Sequence, residues 1–163
     1  MQNCFTYSKL LLLFFSLIIA SSCTTRRDIL IDLNKDLFNE SVQVDFIGMT
    51  ENDKVTFESY SFFQYWKFVG LKKRDHELET IINFLPFSYD FEKSISSKSS
   101  IWKEWSDKNC DYIFIAVDLP YNQTKKIVWK KIIYIQQYSW YNFWSNRDLY
   151  VYVDSEGLTL KSE

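Results

Sequence analysis

Short runs in which apolar and polar residues alternate with a period of two set the tightest limit on what this chain can fold into. Ile29, Ile31 and Leu33 alternate with Leu30, Asp32 and Asn34, and Val42, Val44 and Phe46 alternate with Gln43, Asp45 and Ile47. Successive side chains of a strand point to opposite faces, so each run reads as a half-buried strand. Tyr112 to Leu119, Ile127 to Ile135 and Leu149 to Val153 continue the pattern, with Tyr150 and Tyr152 facing away from Leu149, Val151 and Val153. Glu156-Gly157 signals a turn into a last strand at Leu158-Thr159-Leu160, and Ile81 to Leu85 is a weaker candidate.

Two stretches interrupt this pattern. Asn52 and Asp53 are placed to cap a helix running to about Lys67, with Phe57, Tyr60 and Phe63 three apart and Phe62 and Trp66 four apart. Val55 and Phe57 could instead begin a strand. After the Ser94 to Ser100 loop, Ser99 or Ser100 caps a second helix with Ile101, Trp102 and Trp105 on one side and Lys103 and Glu104 outside. The expectation is a mainly β fold, an antiparallel β-sandwich of six to seven short strands with two short inserted helices, spanning residues 28–163 as one domain.

Composition narrows the function classes. Aromatic residues make up 19% of the chain, against 3 Gly and 2 Pro, which excludes a disordered or low-complexity protein. Gly48, Gly70 and Gly157 lie too far apart to form a phosphate-cradling loop. A net charge of -2 argues against a nucleic-acid partner.

The N-terminus carries an address. Lys9 precedes the apolar run Leu10 to Ala20, which is shorter than the about 20 residues a spanning helix needs and fits the h-region of a signal peptide over residues 1–22. Ala20-Ser21-Ser22-Cys23 follows directly and resembles the bacterial lipobox, in which small residues admit the peptidase and the cysteine thiolate accepts the lipid. Cys23 is therefore the expected lipidation site, with residues 23–27 as a tether that holds Arg26 and Arg27 near the headgroups. Thr24, where an Asp would favour inner-membrane retention, implies an outer-membrane anchor facing the periplasm, or the cell membrane where no outer membrane exists. An uncleaved anchor helix and an ordinary secreted protein are the alternatives. Cys4 leaves with the signal and Cys110 remains alone, so the mature chain has no disulfide framework, and Cys110 reads as buried packing.

Little points to chemistry. His76 is the single histidine and sits in the mixed-charge stretch Lys72 to Glu79, which reads as a solvated loop rather than a metal site. No nucleophile elbow, metal-ligand spacing or cofactor motif is present, so no catalytic residue, metal or cofactor is expected. A pair of catalytic carboxylates meets only in the fold and leaves no signature in sequence. The dense segment Tyr138 to Trp144 differs from the other aromatics because Ser139 and Asn142 interleave with its rings. Tyr138, Trp140, Tyr141 and Trp144 form a candidate ligand or partner surface, either a sugar-stacking platform or a protein-binding hot spot. The plainer alternative is a loop folding its rings onto an open end of the sandwich.

The order of these pieces resembles the outer-membrane lipoproteins of type VI secretion systems. Leu33-Asn34-Lys35-Asp36 is similar to the end of that family's first strand, Val55 to Trp66 to the helix after its second strand, and Asp111 to Asp118 through Trp129 to its late strand. The segment Phe84 to Asn109, with its Trp102 and Trp105, departs from the compact family pattern. The resemblance implies a transthyretin-like sandwich without catalytic activity. It implies a scaffold role, tethering a secretion-type complex to the outer membrane through the periplasmic domain of a protein partner. It also implies that a loop between early strands, Asn34 to Ser41 here, meets that partner. A lipoprotein that binds glycan through residues 138–144 is the alternative, and an anchored hydrolase is the third class.

Overall fold

The structure, a computed structural model, describes residues 27–66, 78–119, 127–135 and 148–162. Eight strands are found among them: β1 (Ile29–Leu33), β2 (Val42–Met49), β3 (Glu79–Phe84), β4 (Glu92–Ile95), β5 (Tyr112–Asp118), β6 (Lys130–Tyr134), β7 (Leu149–Asp154) and β8 (Gly157–Ser162). They form two four-stranded sheets, in the orders β4-β1-β7-β8 and β3-β2-β5-β6. The expected mainly β sandwich is therefore present, with β4 as an added strand. All pairs are antiparallel except β1 and β7, which run parallel in the register Ile29–Leu149 to Leu33–Val153. That pair is the one parallel pairing between named strands in an otherwise antiparallel sandwich. No hairpin turn joins β1 to β7, so nothing local imposes an antiparallel course.

Alternation explains the sheet that carries β1 and β7. Ile29, Ile31 and Leu33 are buried, as are Leu149, Val151 and Val153, while Asp32 is exposed and Tyr150 and Tyr152 are half-buried. These inward rows meet Val42, Val44 and Phe46 of β2 and Ile113, Ile115 and Val117 of β5 in the core between the sheets. Asp154 Oδ1 accepts from the amides of Glu156 (2.7 Å) and Gly157 (3.1 Å), closing the β7–β8 turn that Glu156-Gly157 signals. Gly157 has φ +118, and a Cβ there would strike the backbone of Val128, so only glycine fits.

The second sheet is covered on both faces. Ile47 and Met49 of β2 and Phe114 and Ala116 of β5 point away from the inter-sheet core and pack with Phe57, Phe62, Tyr65 and Trp66. Those four residues come from two helices, α1 (Glu51–Ser59) and α2 (Phe62–Trp66). The single helix expected to run to about Lys67 is thus broken. It starts two or three residues earlier than caps at Asn52 or Asp53 would set it, since Thr50 is the N-cap and Asp53 completes a capping box with it. Tyr60 ends α1 in an extended conformation. Ser61 and Gln64 then bond reciprocally, the Ser61 amide to Gln64 Oε1 (2.8 Å) and the Gln64 amide to Ser61 Oγ (3.3 Å), which starts α2. Lys130 fixes the break from β6: its Nζ donates to the carbonyls of Phe57 (3.1 Å), Glu58 (2.6 Å) and Tyr60 (2.7 Å). A cation at the carbonyl end of a helix is where the macrodipole favours it.

The third helix, α3 (Ser100–Asp107), follows Ser99, which occupies the N-cap position without a side-chain capping bond. Ile101, Trp102 and Trp105 are buried and Lys103 and Glu104 exposed, as the spacing implies. The helix closes the end of the sandwich where β1 begins. There the Ser97 amide donates to Asp28 Oδ1 (2.6 Å), a bond that holds the Asp28 carboxyl below the usual carboxylate range. The Trp105 indole donates to the Leu78 carbonyl (2.8 Å) and lies against Gly48.

Candidate interaction surface

The other end of the sandwich is built differently. β1 carries the chain about 20 Å from Asp28 to Asn34, at about 3.3 Å per residue, so the β1–β2 connection sits opposite the N-terminal entry. Asn34 caps a single 3₁₀ turn over Lys35–Leu37, its side chain accepting from the Asp36 amide (2.9 Å). Leu37 turns into the core and leaves Phe38 half-buried at the rim. The β3–β4 connection lies beside it. The Leu33 amide donates to the Phe91 carbonyl and the Phe87 amide to the Phe38 carbonyl, at 2.8 and 2.7 Å.

The β3–β4 connection exposes apolar surface. Leu85, Phe87 and Tyr89 are 69%, 68% and 87% exposed. The Phe38 ring joins them, edge-on to Phe87 at 5.7 Å and tilted to Tyr89 at 5.2 Å. Phe87 is held at φ 59, a left-handed backbone that costs a bulky residue on the order of 1–2 kcal/mol. The strain is tolerated because the Phe87 amide is tied to Phe38, and its effect is to turn the ring outward. Adjoining this patch is a groove lined by Asp32, Asp90, Glu92, Tyr89, Tyr152 and Lys35, among others. Asp32 and Glu92 are exposed direct partners across β1 and β4, an arrangement of like charges that weakens strand pairing. Lys93 bridges Asp90 at 2.9 Å, whereas among the described residues neither Asp32 nor Glu92 has an ion pair. The surface is tied together by backbone hydrogen bonds, apolar at its tip and negative at its side. It is suited to binding.

Cys23, His76, and Tyr138, Trp140, Tyr141 and Trp144 fall outside the described residues. Cys110 is buried, and burial, with Asp53 and Asp111 nearby, pushes its thiol up to about 11, so it remains protonated and inert as packing. Among the described residues no group of His, Cys, Asp or Glu is placed to hold a metal ion, and no helix is long and apolar enough to cross a membrane. Phe38 lies within the Asn34 to Ser41 loop to which the resemblance points, whereas Leu85, Phe87 and Tyr89 are not singled out by sequence. The available signal is Leu85-Pro86-Phe87-Ser88-Tyr89, where large apolar residues interleave with turn formers and so have no strand face to bury them.

Neither a protein-family model nor a curated protein sequence matches the chain. Solved structures do. The type VI secretion lipoprotein TssJ1 from Pseudomonas aeruginosa superposes with a TM-score of 0.51 at 7% identity, over 83% of this chain and 94% of that one. This chain has the fold of a type VI secretion lipoprotein. Serratia marcescens Lip, a membrane-bound component of the same system, gives 0.54 at 11% identity, over 84% of this chain and 96% of its own. A structure described as the TssM C-terminal domain from EAEC gives 0.55 at 11%, over 83% and 99%. At such identities the likeness is one of fold. It spans both sheets, and it agrees with the resemblance read from the three sequence segments.

Proposed function

We propose that this protein is a lipid-anchored envelope lipoprotein that acts as a non-catalytic scaffold, holding a protein partner and tethering a secretion-type membrane complex to the outer membrane. The observation that carries this reading is the aromatic end of the sandwich. Its exposed side chains, Leu85, Phe87 and Tyr89, lie on the β3–β4 loop beside Phe38 of the β1–β2 loop, opposite Asp28, where the tether enters. An apolar patch held away from the anchor faces a partner in the periplasm rather than the supporting bilayer. Fold neighbours described as type VI secretion lipoproteins support the class of function. In this reading residues 1–22 are removed, Cys23 carries the lipid, residues 23–27 tether the domain of residues 28–163, and Tyr138, Trp140, Tyr141 and Trp144 add a second ligand or partner surface.

Cys23→Ser tests the anchor. Several acyl chains at about 0.8 kcal/mol per buried methylene make lipidated protein sediment with membranes. The variant is expected to incorporate no labelled palmitate and to move into the soluble periplasmic fraction, with its fold unchanged by circular dichroism. Palmitate-free wild-type protein, or a variant that stays on the membrane, contradicts the lipobox assignment.

A further inference from the structure

We propose that the segment docked on the aromatic end is both apolar and basic: a hydrophobic side chain seats on Leu85, Phe87 and Tyr89 while a Lys or Arg side chain enters the adjoining groove between Asp32 and Glu92. This rests on the reading of that end as a protein-docking surface and adds the chemistry of what docks there. The apolar half follows from the exposure of Leu85, Phe87 and Tyr89, the last two of which pack their rings against Phe38. The basic half follows from charge. Asp32 and Glu92 are direct partners across β1 and β4; among the described residues neither has an ion pair, Lys35 lines the groove without pairing with either, and Lys93 is engaged with Asp90. A cation from outside relieves that repulsion. Tyr89 borders both patch and groove, so its ring can cover the alkyl stem or the charged head of the same side chain.

The same charges argue against other occupants. An anionic bilayer is repelled by the groove, and the patch lies at the end opposite the tether. A second copy docked about a two-fold axis would set one acidic groove beside another. The position of the carboxylates next to the apolar tip therefore selects a basic, apolar segment of another protein.

The test uses the mature lipoprotein in detergent micelles with fluorescein-labelled peptides that repeat Lys-Leu-Phe-Lys, or Glu-Leu-Phe-Glu with the charge reversed. Anisotropy is expected to rise with the basic peptide and not with the acidic one, and the rise is expected to fade as salt increases. Asp32→Asn combined with Glu92→Gln is expected to weaken the basic peptide about fivefold at low salt and to flatten the salt dependence. Because that pair removes a repulsion, its melting temperature should hold or rise, which separates lost binding from lost folding. Phe87→Ser is expected to weaken binding about tenfold, with Leu85→Ser as the second variant on the apolar half. Equal binding of both peptides, indifference to the charge variant, binding of the unlipidated Cys23→Ser protein to phosphatidylcholine–phosphatidylglycerol vesicles, or dimerisation that Phe87→Ser abolishes would each overturn the proposal. A partner crosslinked at this end through an acidic segment would also overturn it while leaving the docking reading intact; a surface that captures no partner at all removes that reading itself.

Discussion

Trp105→Ala should lower the unfolding free energy by about 3–5 kcal/mol, measured by chemical denaturation followed by near-ultraviolet circular dichroism. Trp105 is 1% exposed and closes the end of the core where β1 begins. Its indole packs edge-on to Trp102 with centroids 5.0 Å apart, and its Nε1 donates to the Leu78 carbonyl at 2.8 Å. Alanine leaves a cavity and also takes the side-chain donor from that buried carbonyl, and each adds to the loss. Gly48 is the other half of the lock. A Cβ on Gly48 would overlap the Trp105 indole, and the obstacle is the rigid ring itself. Gly48→Ala should therefore cost about 1–3 kcal/mol through overpacking. Combined, the two changes should cost less than their sum, since the new methyl enters space the indole has left. Simple additivity would mean that the two sites do not touch.

Tyr65→Phe, the loss of one hydroxyl, should cost about 2 kcal/mol. Asp45 is fully buried on the β2 face that packs against α2. Its Oδ2 accepts from the Tyr65 hydroxyl at 2.9 Å and its Oδ1 from Gln43 Nε2 at 2.6 Å. A buried carboxylate is stable only while its hydrogen-bond donors are in place, so removing one is costlier than removing a surface bond. The same bond holds α2, which is five residues long and would not persist without tertiary contacts. Tyr65 also packs against Phe114 at 5.2 Å and Trp129 at 5.7 Å, contacts that phenylalanine keeps. Pairing Tyr65→Phe with Asp45→Asn should recover part of the loss, because a neutral amide is less costly to bury with a donor missing than a carboxylate is. A double-mutant cycle with no coupling would show that the hydroxyl and the carboxylate act independently.

The parts of this fold that were legible in sequence are those where a local pattern meets a single environment. β1 and β7 alternate because one face meets the core and the other meets water, and α3 shows its apolar face in three residues. β2 and β5 are also recognisable as strands, but alternation understates their burial, since both of their faces are covered once α1 and α2 fold over them. β4 was missed because Glu92–Ile95 is an edge strand that sends only Ile95 fully into the core. The break between α1 and α2 depends partly on the Ser61–Gln64 capping box, which the sequence carries, and partly on Lys130, which arrives from a distant strand. The interaction surface was hidden for a similar reason. It requires Phe38 and the Leu85 to Tyr89 loop to meet across the end of the sandwich, and it places Phe87 in a backbone conformation that its side chain does not announce.

The central claim is that the end of the sandwich facing away from the anchor holds a protein partner. Its most direct measurement is photocrosslinking in the native cell, with benzoylphenylalanine placed at Phe87, or at Glu104 on α3 at the opposite end. The expected result is a discrete adduct with one envelope protein from Phe87, none from Glu104, and loss of the adduct when Cys23→Ser detaches the domain. No adduct from Phe87, or the same adducts from both ends, would contradict the account.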